Sequence, residues 1–205
     1  MKCVVVTGGA GFIGSHTCLL LLERGYSVFI IDSLANSFID TIDRIKKLFA
    51  LSNKKNKNKI YFYKSDLKDC NALENIFEEI KIKSFDIESV FHFAGFKSAS
   101  KSIDNPIEYW NNNLMATINL IRISCKYSCK NLIFSSSAIV YGNENNTPLK
   151  EDSIVKPLNP YGHTKQAIEN ILFDVTNQKE SRMRVICLRY FNPIGAHVSG
   201  KLGEN

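Results

Sequence analysis

The chain has 205 residues, a formal net charge of +6 at pH 7 and 44% hydrophobic residues. This composition fits one globular domain with a sizeable core, or one domain and a fragment of another. The sequence contains no run of about 18 apolar residues, so we predict no membrane span. Met1-Lys2 lead directly into an apolar segment, so we expect no signal peptide.

The six cysteines are scattered and form no C-x-x-C pair, and Cys3 and Cys187 fall in predicted buried strands. We therefore expect free thiols in a reducing compartment and predict a cytoplasmic protein. The four histidines share no metal-ligand spacing with one another or with the cysteines, so we predict no metal site.

Much of the positive charge lies between residues 46 and 64, which include seven lysines. Between Ser52 and Lys59 lysine alternates with asparagine, without aromatic residues or arginines. A basic patch can bind nucleic acid, but this composition is more typical of a solvated, flexible loop. We predict a loop here and no nucleic-acid partner.

The first predicted elements are a strand over residues 3–6, a glycine turn and a helix over residues 12–24. Gly8, Gly11 and Gly14 are spaced as G-x-x-G-x-x-G, which permits a sharp turn and a close approach of the backbone to a pyrophosphate. A second strand over residues 27–32 ends at Asp32, 18 residues after Gly14. An acid there accepts ribose hydroxyls and repels a 2′-phosphate. The pattern predicts NAD binding; the alternative is that the glycines serve only packing.

Strands and helices alternate through the rest of the chain. We predict further strands over residues 60–63, 89–93, 132–134 and 185–190. The predicted helices cover residues 39–51, 69–82, 106–128 and 160–177, with a loop at 141–158 and a polar end at 192–205. Each strand is a continuous apolar run, which indicates a parallel sheet covered on both faces. The predicted fold class is α/β, a doubly wound Rossmann-type sheet of order 3-2-1-4-5-6.

Polar residues follow the predicted strands, at the edge where such sheets bind their ligands. We expect them to converge on one crevice: Thr7, Asp32, Asp66, Lys97, Ser137 and Asn192.

Tyr161 and Lys165 lie four residues apart in a predicted helix and would share one face. A tyrosine of ordinary pKa is a poor base at neutral pH. We expect Lys165, together with an oxidised nicotinamide, to lower the pKa of Tyr161, so that it can take a proton from an alcohol. Ser137 would hydrogen-bond the same oxygen. The alternative is a surface pair on an amphipathic helix.

These residues, with the stretch TGGAGFIGSH at 7–16, resemble the extended short-chain dehydrogenase/reductases. Three further stretches are similar to UDP-glucose 4-epimerases: HFAGFK at 92–97, FSSSAIVYG at 134–142 and RYFNPIGAH at 189–197. The resemblance covers essentially the whole chain. It implies an isomerase of galactose metabolism that interconverts UDP-glucose and UDP-galactose by NAD-mediated oxidation and reduction at sugar C4.

The resemblance also implies residue roles. Tyr161 would be the base, Ser137 its partner on the sugar oxygen, and Lys165 a grip on the nicotinamide ribose. Implied NAD contacts are Gly8, Gly11, Phe12, Ile13, Gly14, Asp32, Ser33, Asn36, Ser37, Asp66, Leu67, Phe93, Ala94, Gly95, Lys97, Asn112, Ser137, Tyr161, Lys165 and Phe191. Implied contacts to the UDP-sugar are Lys97, Ser137, Tyr161 and Asn192.

Two departures are mild: Thr164 stands where serine is usual, and Asn111 replaces a common aspartate. The larger departure is the length of the chain, because members of the resembled family continue well beyond residue 205. We expect residues 1–190 to form the NAD-binding domain and residues 191–205 to begin a nucleotide-sugar region whose remainder is missing. The resemblance implies a homodimer for the full-length form, and we expect this chain alone to lack normal activity.

Three alternatives accompany this interpretation. One is another UDP-sugar 4-epimerase, acting on UDP-glucuronate or a UDP-N-acetylhexosamine. Another is a truncated, non-catalytic NAD-binding module. A 4,6-dehydratase is disfavoured, because Ser137-Ala138 stand where those enzymes resemble Thr-Asp-Glu.

Overall fold

The structure is a computed structural model that describes residues 2–52, 59–143, 146–179 and 181–204. The loop predicted for the lysine- and asparagine-rich stretch falls, for residues 53–58, outside the described residues.

The described residues form one parallel sheet of six strands in the order β3-β2-β1-β4-β5-β6, which confirms the predicted fold class. The strands are β1 Lys2–Thr7, β2 Ser27–Asp32, β3 Ile60–Lys64, β4 Asp86–His92, β5 Asn131–Ser137 and β6 Arg184–Tyr190. The order reverses between β1 and β4, so the connections that leave the carboxyl ends of these two strands run in opposite directions and open a crevice.

Helices cover both faces of the sheet. They are α1 Phe12–Glu23, α2 Asp40–Ser52, α3 Cys70–Ile82, α4 Ala99–Asp104, α5 Pro106–Tyr109, α6 Ala116–Lys126 and α7 Pro160–Thr176. A π-helical turn, Trp110–Met115, joins α5 to α6, and a short 3₁₀ turn, Ala138–Tyr141, follows β5.

Strand β2 explains why the sheet strands are continuously apolar. Successive side chains of a strand point to opposite faces. Phe29 and Ile31 therefore enter the core cluster on one side of the sheet, and Val28 and Ile30 enter the cluster on the other side. All four side chains are fully buried, so both faces must be apolar.

The predicted long helix over residues 106–128 is correct in extent and wrong in regularity. Pro106 begins α5 at its first turn, as expected, but α4 precedes it and was not predicted. The π-helical turn interrupts the segment where it passes the crevice. Such turns carry one extra residue and are frequent at functional sites. Periodicity in the sequence does not resolve a single wider turn.

One cysteine and the lengths of the helices complete the description of the fold. Cys187 is half-buried rather than buried, because β6 is the edge strand of the described sheet. None of the described helices is long and apolar enough to cross a membrane.

Leu120 on α6 tests the packing. Its side chain is fully buried in the core, whereas Ile118 on the same helix is 39% exposed. We expect Leu120→Ala to lower the free energy of unfolding by about 2–5 kcal/mol, because it removes buried methyl groups and leaves a cavity. Urea denaturation of Ile82→Ala, at a side chain that is 73% exposed on α3, is the control. Equal losses in the two variants would contradict this packing.

Candidate active site

A cavity of about 580 Å³ opens at the carboxyl ends of the strands, a volume typical of small-molecule sites. Every residue predicted to bind the cofactor or the substrate lines it except Ser37, whose hydroxyl donates to Asp32 Oδ1 over 2.9 Å. Thr7 was expected at the crevice, but it is fully buried behind it. The rest of the predicted polar set converges as expected: Asp32, Asp66, Lys97, Ser137 and Asn192.

The glycine turn forms one end of this cavity. Gly8 has φ of +69°, a left-handed conformation that suits glycine. A Cβ on Gly14 would lie 2.2 Å from the Gly8 carbonyl oxygen, so α1 packs on the turn only with glycine there. No side chain of the described residues caps α1, and its first turn carries no acid. Its first amides are therefore available to an anion such as a pyrophosphate.

Asp32, at the end of β2, is buried and accepts three hydrogen bonds from the protein. Its Oδ2 accepts from the amide of Ala10 at 2.9 Å, and its Oδ1 accepts from Leu34 N and Ser37 Oγ, each at 2.9 Å. A carboxylate offers about four acceptor positions. Asp32 thus ties the glycine turn to the segment after β2 and keeps one position for a ribose hydroxyl.

Tyr161 lies in the first turn of α7, which begins at Pro160 with Asn159 as its N-cap. Burial raises the pKa of Tyr161, and a hydrogen bond with Ser137 acts in the opposite direction. The expected lowering combined Lys165 with an oxidised nicotinamide, and Lys165 by itself does not lower this pKa. The reason is geometric, because the Lys165 ammonium is engaged elsewhere.

The Lys165 ammonium donates to the carbonyl oxygen of Ser135 at 2.7 Å. It lies 4.7 Å from the centroid of the Phe134 ring and 5.7 Å from that of Tyr161. Burial lowers the pKa of Lys165 to about 8, and the Glu169 carboxylate opposes that effect. The side chain therefore remains a cationic donor beneath the cavity at neutral pH.

A buried histidine behind the cavity was missed by the sequence analysis. The His92 Nε2 lies 2.8 Å from Thr117 Oγ1, whose own hydrogen is donated to the Asn113 carbonyl at 2.7 Å. Nε2 must therefore carry the proton, and Nδ1 accepts from Thr7 Oγ1 at 2.7 Å. Burial lowers the pKa of His92 to about 3, with a smaller contribution from Lys165. The ring is neutral.

Asn113, in the π-helical turn, connects three segments around the site. Its Oδ1 accepts from the amide of Phe96 at 2.8 Å, and its Nδ2 donates to the Phe96 carbonyl at 3.1 Å and to Thr164 Oγ1 at 3.2 Å. Thr164 in turn donates to the Tyr161 carbonyl at 2.7 Å. The hydroxyl that Thr164 shares with the more usual serine thus helps to fix the start of α7.

The open side of the cavity is more polar and more exposed. Lys97 pairs with Glu204 at 2.8 Å, and both side chains are more than half exposed. Phe191 and Asn192, beyond β6, are also exposed. Within the described ranges, no three His, Cys, Asp or Glu side chains are grouped to hold a metal ion.

The sheet order, the glycine turn and the position of the cavity define a Rossmann-type nucleotide-binding protein. A model of the family described as GDP-mannose 4,6 dehydratase matches residues 5–205. The chain belongs to that family.

Individual relatives carry a different activity in their names. The chain is 47% identical over 204 residues to UDP-glucose 4-epimerase 2 of Arabidopsis thaliana, covering 100% of this chain and 55% of the relative. It is 43% identical over 202 residues to bifunctional UDP-glucose 4-epimerase and UDP-xylose 4-epimerase 1 of Pisum sativum, covering 98% and 55%. The chain thus spans about half the length of the curated relatives it matches.

A solved structure that resembles the chain carries the same enzyme name as these relatives. The crystal structure of UDP-glucose 4-epimerase from Bifidobacterium longum, in complex with NAD⁺ and UDP, superposes with a TM-score of 0.89 at 39% identity. The match covers 100% of this chain and 57% of that one.

The neutral His92 makes stability depend on pH. Its folded pKa of about 3 lies below its reference value of 6.5, so the unfolded chain binds the proton more tightly. The stabilisation is complete above about pH 6.5 and is lost as the pH falls toward 3. We expect His92 to contribute a loss of about 2 kcal/mol between pH 7 and pH 5.

Urea denaturation at both pH values measures this loss, which His92→Gln should abolish. His163→Gln, at an exposed position, is the control and should retain the wild-type pH dependence. An unchanged dependence in His92→Gln would contradict the neutral, buried ring.

Proposed function

We propose that this domain binds NAD along the cavity. The glycine turn would receive the pyrophosphate at the start of α1, and Asp32 would accept a ribose hydroxyl at its remaining acceptor position. The negative charge of Asp32 would repel the 2′-phosphate of NADP. The observation in favour is the steric demand at Gly14, where a Cβ would meet the Gly8 carbonyl at 2.2 Å. The start of α1 is thereby packed directly on the glycine turn, where its free amides would meet the pyrophosphate.

We further propose that the full-length protein is a UDP-glucose 4-epimerase. The observation that carries this proposal is the position of Ser137, Tyr161 and Lys165 together in the cavity whose far end is the glycine turn. NAD, when bound, supplies the group that accepts and returns hydride at sugar C4. The Arabidopsis, pea and Bifidobacterium relatives named above support the same reaction.

The residues of the chain would transfer the proton and hold the sugar oxygen in position. Tyr161 takes the proton of the sugar 4-hydroxyl and returns it to the same oxygen after the sugar has turned over. Ser137, already hydrogen-bonded to Tyr161, holds that oxygen in place. Burial disfavours the phenolate, so Tyr161 needs a cation to become a base. Lys165 would provide one, since its ammonium lies 5.7 Å from the centroid of the Tyr161 ring.

A further part of the proposal concerns the sugar end of the site. Residues 1–190 would form the NAD-binding domain, and residues 191–205 would begin the nucleotide-sugar region. Lys97 and Asn192 are exposed at the open side of the cavity, where they would meet the UDP-sugar. UDP-xylose, which the pea relative's name includes, UDP-glucuronate and UDP-N-acetylhexosamines are alternative substrates. The free cysteines of the described chain favour a cytoplasmic location.

We also propose that the full-length protein is a homodimer that pairs through the segment from α5 to α6 and through α7. This surface carries exposed apolar side chains, Ile107, Met115, Ile118 and Phe173, of which Ile107 and Phe173 are 77% and 68% exposed. Exposed apolar side chains that cluster on neighbouring helices are typical of an interface.

Tyr161→Phe tests the mechanism. It removes the proton acceptor and preserves the ring, so we expect epimerisation by the full-length protein to fall by about 10²–10⁴-fold with NAD still bound. The measurement is conversion of UDP-galactose to UDP-glucose, with bound NAD quantified after denaturation. Tyr127→Phe is the control, since that hydroxyl contacts only Glu78 at the surface among the described residues. A wild-type full-length protein that binds NAD but does not epimerise UDP-galactose would indicate the non-catalytic module instead.

Phe173→Asp tests the dimer. A carboxylate at the centre of an apolar interface costs several kcal/mol, so sedimentation of the full-length variant should show monomers at concentrations where the wild type is dimeric. Ile82→Asp changes a side chain that is 73% exposed on α3, on another part of the surface. It should leave the dimer intact. A dimeric Phe173→Asp variant would exclude this surface.

A further inference from the structure

An ion pair beneath the cavity is not used by the proton transfer described above. The Arg189 guanidinium, on β6, donates to Glu169 on α7 from Nη2 at 2.7 Å and from Nε at 3.1 and 3.3 Å. The two side chains are only 21% and 12% exposed. A pair this buried is costly to desolvate, so it is weak evidence for a gain in stability, and we looked for another role.

The carboxylate of Glu169 also contacts the two segments that carry the proposed catalytic residues. Its Oε1 accepts from Ser136 Oγ at 2.5 Å. Ser136 directly precedes Ser137 at the end of β5, and adjacent strand residues point to opposite faces. Glu169 is also one helical turn beyond Lys165, on the same face of α7.

Arg189 extends this connection to the segment after β5. Its Nη1 donates to Tyr141 Oη at 3.0 Å and to the carbonyl oxygen of Glu151 at 2.9 Å. The guanidinium carbon lies 4.9 Å from the centroid of the Tyr141 ring. The pair therefore joins α7, β5 and β6 to Tyr141 and Glu151.

We propose that Glu169 is a positioning residue, which places a fixed negative charge one turn from the Lys165 ammonium and anchors Ser136 so that Ser137 faces Tyr161. Arg189 holds this carboxylate in place. The inference rests on the proposed function for its catalytic consequence. The effect on Lys165 itself does not depend on that function.

The surroundings of Lys165 support a specific role for this charge. Burial lowers the pKa of Lys165 to about 8, and Glu169 raises it although Arg189 shares the carboxylate. His92 is neutral and adds no opposing charge. Among the described residues, the titratable groups that interact with Lys165 are Tyr161 and Glu169 on α7 and His92 on β4, and Cys187 and Arg189 on β6 act on Glu169.

The test is a direct titration of Lys165 in the full-length protein, by NMR of lysine labelled with ¹³C at Cε. We expect a midpoint near pH 8 in the wild type and a lower midpoint in Glu169→Gln. Glu169→Asp keeps the charge and should restore most of the difference. A midpoint in Glu169→Gln equal to that of the wild type would overturn the inference.

Binding of NAD⁺ gives the second readout. Glu169→Gln should lose affinity on the alkaline side, by about threefold for each half unit of midpoint shift, and recover wild-type affinity near pH 6. A variant with a merely structural defect would lose affinity equally at all pH values, and that result would contradict the inference. A wild-type protein that fails to bind NAD⁺ would instead refute the proposed function, and the titration would still decide the role of Glu169.

Arg189→Met covers the case in which Glu169→Gln does not fold. It frees the carboxylate from its guanidinium, so the Lys165 midpoint should move to higher pH, opposite in sign to the effect of Glu169→Gln. An unchanged or lower midpoint in Arg189→Met would also overturn the inference.

Discussion

Hydrogen bonds through a neutral, fully buried imidazole hold the two walls of the cavity together. Thr7, at the end of β1, donates to His92, and His92 donates to Thr117. Thr117 donates to Asn113, whose side chain reaches Thr164 on α7. The glycine turn after β1 and the helix of the proposed base are thus connected through polar groups that water does not reach. Each hydrogen bond in this series has a defined donor, so the series also fixes the distance between the two walls of the cavity.

The same part of the molecule must tolerate a buried cation. Lys165 is almost completely buried, and an isolated ammonium would be very costly there. A backbone carbonyl, an aromatic ring and a carboxylate one turn away share that cost. A ligand that takes over the ammonium exchanges one hydrogen bond for another and need not desolvate a free charge. This arrangement favours a site that is ordered before its ligand arrives.

Local pattern predicted the sheet and the place of the cavity, because strand order and ligand position follow from glycine spacing, apolar runs and the polar residues after each strand. Most of the individual cavity residues were implied by the resemblance to the epimerases. The π-helical turn at 110–115 was not predictable, because one extra residue leaves the apolar period almost unchanged. His92 was read as an ordinary strand residue, since its partners Thr7 and Thr117 are 85 and 25 residues away. The burial that raises the pKa of Tyr161 was not predictable, because it depends on the packing of distant segments.

Asp32 has a consequence for how such a protein can change over evolutionary time. Its carboxylate is shared between the fold and the proposed ribose contact, with three of its hydrogen bonds made to the protein. A replacement that admits a phosphorylated ribose also releases the Ala10 amide and the turn at Leu34. Adaptation toward NADP at this position would therefore need compensating substitutions in the glycine turn. Coenzyme preference in this scaffold is inherited together with the turn that builds the site.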